Sequence, residues 1–186
     1  FLTGLIIVIL IFSVSEAFAG NTVRTLEPGF KYGGETGIMV GDTVYSIDGH
    51  RVFYADDFST YMARSTDGKV DMVVIRDGKK VKLNDFGLSK DEFVVNGEAV
   101  EKHGITFNAI SATVGEKLKY SFHSAYDFVR LVKMGLSDLV TGVVGVKDMS
   151  GVVGIVSTIN KVGEESATVS AAVMNIAYLC AFIAIN

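Results

Sequence analysis

The sequence has little of several features that would narrow its function. Tryptophan is absent, proline occurs once, and the single cysteine, Cys180, can form no disulfide within the chain. Lysine and arginine number 17 against 21 aspartates and glutamates, which gives a net charge of −4, and there is no long basic run. This balance argues against nucleic-acid binding. With 186 residues, the chain has room for one domain with flanking segments or for two small domains.

Charge is also missing from both ends of the chain. Residues 1–15 and 166–186 contain no charged residue, and every charge lies within 16–165. A membrane-spanning helix needs about 20 apolar residues. We therefore predict transmembrane helices over 1–20 and 166–186, and we expect both to be cut by the ends of the chain. A signal peptide ending near Ala17-Phe18-Ala19 is the alternative for the first run, although no basic residue precedes that apolar stretch.

The middle of the chain, residues 21–112, predicts one β-rich domain. Residues 43–47 favour a strand, and the turn pair Asp48-Gly49 ends it. Apolar residues at helical spacing predict a short helix within 54–64.

A hairpin and a closing strand are predicted in the second half of this domain. The β-favouring runs 70–76 and 79–83 flank Asp77-Gly78, a pair that tolerates the positive φ of a tight turn. Another strand is predicted over 104–110. The charged stretch between, 84–103, is predicted to be a loop.

One stretch of this domain carries a family pattern. It reads Gly37-Ile38-Met39-Val40-Gly41-Asp42-Thr43-Val44-Tyr45-Ser46-Ile47-Asp48-Gly49 and resembles the bacterial PDZ pattern A-G-[LI]-x-x-G-D-x-[IV]-x-x-[IV]-[ND]-G, with Thr36 in place of the usual small residue. A PDZ domain binds an extended peptide by adding it as a strand to a sheet edge. The resemblance implies a peptide groove near Leu26, Gly29 and Phe30, with the short helix as the opposite wall. A generic β-rich domain that uses these glycines only for turns is the alternative.

Residues 113–136 have an amphipathic helical pattern. Apolar side chains recur at spacings of three and four along it: Leu118, Phe122, Tyr126, Val129, Val132 and Leu136. We predict an amphipathic helix at a membrane interface, and a helix that covers part of the β-rich domain is the alternative. A loop is predicted over 137–165.

That loop carries Ser150-Gly151-Val152-Val153-Gly154-Ile155, and the chain ends in Ala184-Ile185-Asn186. These residues and the order of the elements resemble the bacterial site-2 proteases of the regulator-of-sigma-E type, in which S-G-P-V-G-I precedes a helix leading into S-x-N-x-x-x-x-N-L-L-P. Val152 stands where the family has proline. The resemblance makes Asn186, at the first asparagine of that motif, a candidate substrate-binding residue. An asparagine that only packs or hydrogen-bonds between helices is the alternative.

The resemblance implies a catalytic Zn²⁺ held by two histidines of an H-E-x-x-H helix and an aspartate of an L-D-G motif, with the glutamate as general base. Neither motif occurs in the sequence. We therefore predict no catalytic or zinc-binding residue in this chain, and His50, His103 and His123 are expected to have other roles.

Three functions are hypothesised, of which the third is a secretion-system or quality-control component with a PDZ module. The first is the central fragment of an intramembrane zinc metalloprotease, which cleaves transmembrane substrates in regulated intramembrane proteolysis and uses its PDZ domain as substrate filter and peptide binder. The alternative is a non-catalytic, membrane-anchored PDZ adaptor. The expected partners are a membrane-protein or peptide substrate and the lipid bilayer, and no nucleic acid.

The predicted fold is an α+β membrane protein, in which a β-rich PDZ domain lies between transmembrane helices and an amphipathic helix precedes the last one. The family resemblance implies a multi-pass protein of the bacterial inner or plasma membrane, with its PDZ domain outside the cytoplasm.

Overall fold

The computed structural model describes residues 1–65, 67–95, 98–140 and 169–186. The chain forms two compact units. The β unit is Ala17–Ser111, and the helical unit combines Phe1–Glu16 with Ala112–Asn186.

The β unit is built on a six-stranded antiparallel sheet. Its strands follow the order β5-β4-β2-β1-β8, with β3 paired to β2. Two further strands, β6 and β7, pair only with each other. The bounds are β1 Ala17–Leu26, β2 Thr43–Ile47, β3 His50–Arg51, β4 Lys69–Arg76, β5 Lys79–Gly87, β6 Asp91–Val95, β7 Glu98–Lys102 and β8 Ile105–Ser111. In the described part of the chain, β5 and β8 are therefore the two edges of the sheet.

One face of this sheet forms the core of the β unit. Alternate residues of β4 (Val70, Met72 and Val74) are buried, as a strand with one covered face requires. Helix α2 (Ala55–Arg64) contacts β1 and β2 and buries Phe58 and Met62. The period-2 pattern of the strands and the helical spacing of α2 thus serve one apolar core.

A bulge interrupts the pairing of β1 with β8. The register shifts between Ala19 and Val23 of β1. There, the Asn108 side-chain oxygen accepts the Thr22 N–H at 3.1 Å. The Asn21 side-chain nitrogen donates to the Val44 carbonyl at 3.0 Å. The Asn108 side chain therefore satisfies a β1 backbone N–H at the bulge, and the Asn21 side chain links β1 to β2.

The helical unit contains three described helices: α1 (Leu2–Ser13), α3 (Val114–Val140) and α4 (Val169–Ile185). Its core combines side chains from all three helices: Leu5, Val8, Ala125, Phe128, Ala181 and Ile185. Gly4 allows α1 and α4 to approach closely, because a Cβ there would lie 2.5 Å from Ile185 Cγ1 and 2.8 Å from the Ala181 carbonyl oxygen.

The prediction of membrane-spanning helices at the two ends is wrong. The first apolar run forms a helix of 12 residues that ends at Ser13. Ala17 and Phe18 belong instead to β1, where they pair with Ser111 and Ile110 of β8. In the described part of the last apolar run, residues 169–186, a helix covers 17 residues.

Helix α3 has 27 residues, but charged side chains are distributed along it. Within the described ranges, no helix combines the length and the apolar character needed to cross a membrane. This finding overturns both the predicted α+β membrane fold and the predicted multi-pass membrane location. The described fold is α+β with a sheet of six strands.

Several local predictions hold. The strand over 43–47, the Asp77-Gly78 hairpin and a helix ending at Arg64 are confirmed. The predicted closing strand forms as β8, and the amphipathic pattern forms as α3. The prediction of a loop over 84–103 is wrong, because this stretch contains the β6–β7 hairpin. The S-G-V-V-G-I segment lies outside the described residues.

Candidate functional site

The glycine-rich segment before β2 is held by a buried ion pair. Asp42 is 1% exposed. Arg76 at the end of β4 donates to both Asp42 carboxylate oxygens, at 2.8 and 2.7 Å, and to the carbonyls of Glu35 and Gly37. The Asp42 carboxylate also accepts the Met39 N–H at 2.8 Å. The Gly-Asp pair of the sequence motif therefore fixes the loop before β2 to the end of β4.

The β6–β7 hairpin is tied to the loop after β1. Lys31 and Asp91 form an ion pair at 3.0 Å, Lys102 pairs with Glu27, and the Tyr32 and Ser89 hydroxyls hydrogen-bond. These contacts fix the base of the hairpin, where Asp91 and Lys102 pair, to the loop after β1.

The sequence predicts a groove near Leu26, Gly29 and Phe30, and the structure gives these residues different environments. Leu26 ends β1 and pairs with Ile105, the first residue of β8. Gly29 is exposed at φ +85, and a Cβ added there would meet no atom within 4 Å. Phe30 lies against Gly104, just before β8. Two of the three residues therefore adjoin the start of the edge strand.

Gly104 is the point where the loop after β1, the β6–β7 hairpin and β8 meet. Its φ is +72, and a Cβ added there would lie 2.6 Å from Phe93 Cζ and 3.0 Å from Phe30 Cδ2. The Gly104 carbonyl accepts the Glu27 N–H at 2.9 Å. Only glycine combines this backbone conformation with such close aromatic neighbours.

Gly104→Ala is expected to destabilise the chain more than Gly78→Ala. Both positions have a positive φ, which costs an alanine roughly 1–2 kcal/mol. Gly78 has φ +75 and no atom near its added Cβ, whereas Gly104 meets two phenylalanine rings. That crowding adds roughly 1–3 kcal/mol at Gly104. Urea unfolding of both variants measures the difference, and equal losses would contradict the close packing at Gly104.

A cavity of about 660 Å³ opens beside the C-terminal half of α2. We call it the α2 cavity. Its lining comes from α2 and the segment after it, from the segment after β5, and from β7 and the residue after it: Ser59, Met62, Ala63, Ser65, Gly68, Leu88, Ser89, Lys90, Glu101 and His103. Met62 and Leu88 are buried apolar residues of its wall, and Lys90 and Glu101 bring opposite charges to it. Such a mixed apolar and polar hollow is typical of a ligand site.

His103 lies in the wall of the α2 cavity. Its ring stands edge-on to Phe58 with centroids 5.8 Å apart, and its Nδ1 is buried without a hydrogen-bond partner. Burial and then the charge of Lys90 lower the pKa of His103 below its usual 6.5, while hydrogen bonds to the backbone at Ser89 and Leu88 oppose this effect. The neutral form of the side chain is therefore favoured.

Acidification is expected to destabilise the chain through His103. Because its pKa is lowered on folding, the unfolded chain binds a proton at pH values just below 6.5 that the folded chain does not. The free energy of unfolding therefore falls as the pH drops below 6.5. Urea unfolding at about pH 7.5 and about pH 5.5 should show a larger fall for the wild type than for His103→Gln. An equal fall in both proteins would contradict this role.

Asn186 makes a local contact at the end of the last helix. It is exposed at the end of α4, where its side-chain nitrogen donates to the Phe182 carbonyl at 3.0 Å. This bond satisfies the end of a helix, and the substrate-binding role of Asn186 stays a prediction.

The three histidines of the chain lie in different environments. His50 is exposed and stacks on Tyr61 at 5.0 Å, and His103 faces the α2 cavity. In the helical unit, His123 pairs with Asp127 at 3.1 Å. Within either unit taken by itself, the described residues bring no three His, Cys, Asp or Glu ligand atoms together. With no H-E-x-x-H in the sequence, no catalytic step through zinc follows from these residues.

Sequence reasoning missed the segments on either side of the β6–β7 hairpin. Leu88 and His103 lie in the stretch predicted to be a charged loop, yet both line the α2 cavity. The available signals were the apolar residues Phe86 and Leu88 on either side of Gly87, and Gly104, which follows the hairpin.

The chain is similar to a curated protein of Campylobacter jejuni named "Putative zinc metalloprotease Cj1068". The two sequences are 24% identical over 161 residues, which cover 82% of this chain and 40% of that protein. The chain thus spans less than half the length of this relative. No model of a known protein family matches the sequence.

Proposed function

We propose that the β unit is the peptide-binding module of a zinc metalloprotease. In this proposal, an extended peptide segment of the substrate adds to β8 and places one side chain in the α2 cavity. The observation that carries the proposal is the position of this cavity, beside α2 and next to the start of an edge strand. The PDZ resemblance of residues 37–49 supports the same mode of binding.

Strand addition requires an edge with free backbone groups. β1 pairs with one side of β8, and no other strand of the described chain pairs with its opposite side. Backbone N–H and C=O groups on that side are available to a peptide, whose main-chain bonds supply affinity without regard to sequence. Four of the seven residues of β8 are half-buried and three are exposed, as expected for an edge.

The α2 cavity supplies the selectivity that a bare edge lacks. Its Met62 and Leu88 walls favour an apolar side chain, since burying one contributes roughly 1.5–3 kcal/mol. Lys90 and Glu101 lie at the same cavity and bring one charge of each sign to it. The side chain that enters is therefore apolar.

The protease part of the proposal rests on the similarity to the Campylobacter protein. Zinc, its ligands and the general base belong, in this proposal, to parts of a longer protein outside this chain. The β unit then selects which polypeptides reach that centre. The contribution of this chain is binding, and the chain alone is expected to hydrolyse no peptide.

Peptide binding is tested with the full 186-residue chain. A random library of peptides of about ten residues is panned, and the selected members are titrated by fluorescence anisotropy. Saturable binding of peptides that share an apolar position supports the proposal. If no library member binds more tightly than about 1 mM, the peptide-binding function is wrong.

An experiment with a chelator distinguishes a zinc protease from a non-catalytic adaptor. In the full-length protein, chelation is expected to abolish cleavage of a bound substrate, while peptide binding by the present chain is unchanged. Cleavage that persists under chelation would reject the zinc protease. Absence of any cleavage by the full-length protein would favour the adaptor.

A further inference from the structure

We infer that the groove between α2 and β8 selects a small side chain, such as glycine, alanine or serine, two residues before the one that enters the α2 cavity. This inference rests on the peptide-binding function proposed for the same site. It adds a second, steric criterion to the apolar preference of the cavity.

The space between helix and strand is filled by an aromatic pair. Phe58 of α2 and Phe107 of β8 have ring centroids 5.1 Å apart at an interplanar angle of 66°. Phe58 is 3% exposed. The His103 ring stands edge-on to Phe58, with ring centroids 5.8 Å apart. The two phenylalanines thus join the two walls of the groove.

The aromatic pair lies one peptide step from the α2 cavity. Along α2, Phe58 precedes the cavity residue Met62 by four residues, about 6 Å of helix. Along the other wall, Phe107 follows Ile105, the first residue of β8. Two residues of an extended peptide cover about 6.6–6.8 Å. A peptide residue two positions from the cavity residue therefore faces Phe107, the half-buried member of the pair.

The direction of the peptide determines whether the selected residue comes before or after the cavity residue. Every pairing in the sheet is antiparallel, and in the proposed binding mode the added strand also runs opposite to β8. Because β8 starts beside the cavity, the C-terminal end of the antiparallel peptide segment lies at the cavity. The residue that meets the aromatic pair is accordingly two positions before the cavity residue, and side chains on the same face recur at this spacing.

A large side chain at this position must displace a packed phenylalanine. Overpacking of this kind costs roughly 1–3 kcal/mol, which corresponds to about five- to 150-fold in affinity. A glycine, alanine or serine fits over the rings without moving them.

The test uses a series of peptides selected as binders of the wild type. The cavity residue is kept as leucine, and the residue two positions before it is changed among Gly, Ala, Ser, Leu and Phe. Wild-type chain is expected to bind the Ala peptide at least about fivefold more tightly than the Leu and Phe peptides. Phe107→Ala should reduce this difference to about twofold by opening the groove, and Phe53→Ala, an equal truncation at an exposed position, should preserve it.

The outcomes separate the inference from the proposed function. If the wild type binds all five peptides equally, the small-residue preference is wrong and the peptide-binding function stands. If no peptide binds, both are wrong. The wild-type series tests the small-residue preference even if Phe107→Ala fails to fold. A preference that survives unchanged in a folded Phe107→Ala variant would also overturn the assignment to the aromatic pair.

Discussion

Asp42→Ala is expected to lower the free energy of unfolding by about 3 kcal/mol or more, since removing one partner of a buried ion pair typically costs 3–5 kcal/mol. The Asp42 side chain is 1% exposed and that of Arg76 17% exposed. Without the carboxylate, the guanidinium keeps only its bonds to two backbone carbonyls. The Met39 N–H also loses its acceptor. An uncompensated charge then remains in a largely buried position.

Urea unfolding followed by circular dichroism measures this loss. Lys69→Gln is the matched control, because it breaks the ion pair between Lys69 and Asp85, whose side chains are 50% and 74% exposed. Exposed pairs contribute little, so this variant should unfold like the wild type. Similar midpoints for Asp42→Ala and Lys69→Gln would show that the buried pair does not hold the loop before β2.

Ala63→Trp is expected to weaken peptide binding at least about tenfold. Ala63 is exposed on α2 and lines the α2 cavity. An indole there occupies the space that the proposal assigns to the apolar side chain of the peptide. Because Ala63 is at the surface of the helix, the larger side chain enters the cavity without filling the core, and the fold should be retained.

Fluorescence anisotropy with a library-selected peptide measures the effect of Ala63→Trp. Lys82→Trp serves as control, since it introduces the same side chain at an exposed position of β5, the opposite edge of the sheet. Unchanged affinity in Ala63→Trp, with circular dichroism showing a folded protein, would mean that the cavity is not part of the binding site. Equal weakening in both variants would point to a general effect of the added indole.

Local turn chemistry explains which elements the sequence predicts well. Asp77 and Gly78 have φ values of +49 and +75, and Asp48 and Gly49 have +48 and +78. Asp-Gly pairs adopt such conformations at low cost, so the positions of the adjoining strands follow from two residues. The motif around Asp42 likewise identifies a fixed loop, although its partner Arg76 lies 34 residues away and is not evident from the pattern.

Two features depend on distant contacts and were therefore not predictable. The β6–β7 hairpin lies in a charged stretch. Its Phe93 packs against Gly104 and near Phe30, and only the folded chain brings these three residues together. The first charge-free run resembles a membrane helix in composition. Pairing of Ala17 and Phe18 with β8 ends the helical part early, and such strand pairing is not visible in hydropathy.

Amide hydrogen exchange of the full chain, with and without a saturating library-selected peptide, tests the strand-addition proposal most directly. If the peptide adds to β8, exchange slows at residues of Ile105–Ser111 whose amides face away from β1 and at the walls of the α2 cavity. Residues of β5, the other edge, exchange as before. Saturated binding with slowed exchange at β5, or with none at β8, would contradict peptide addition to the edge beside α2.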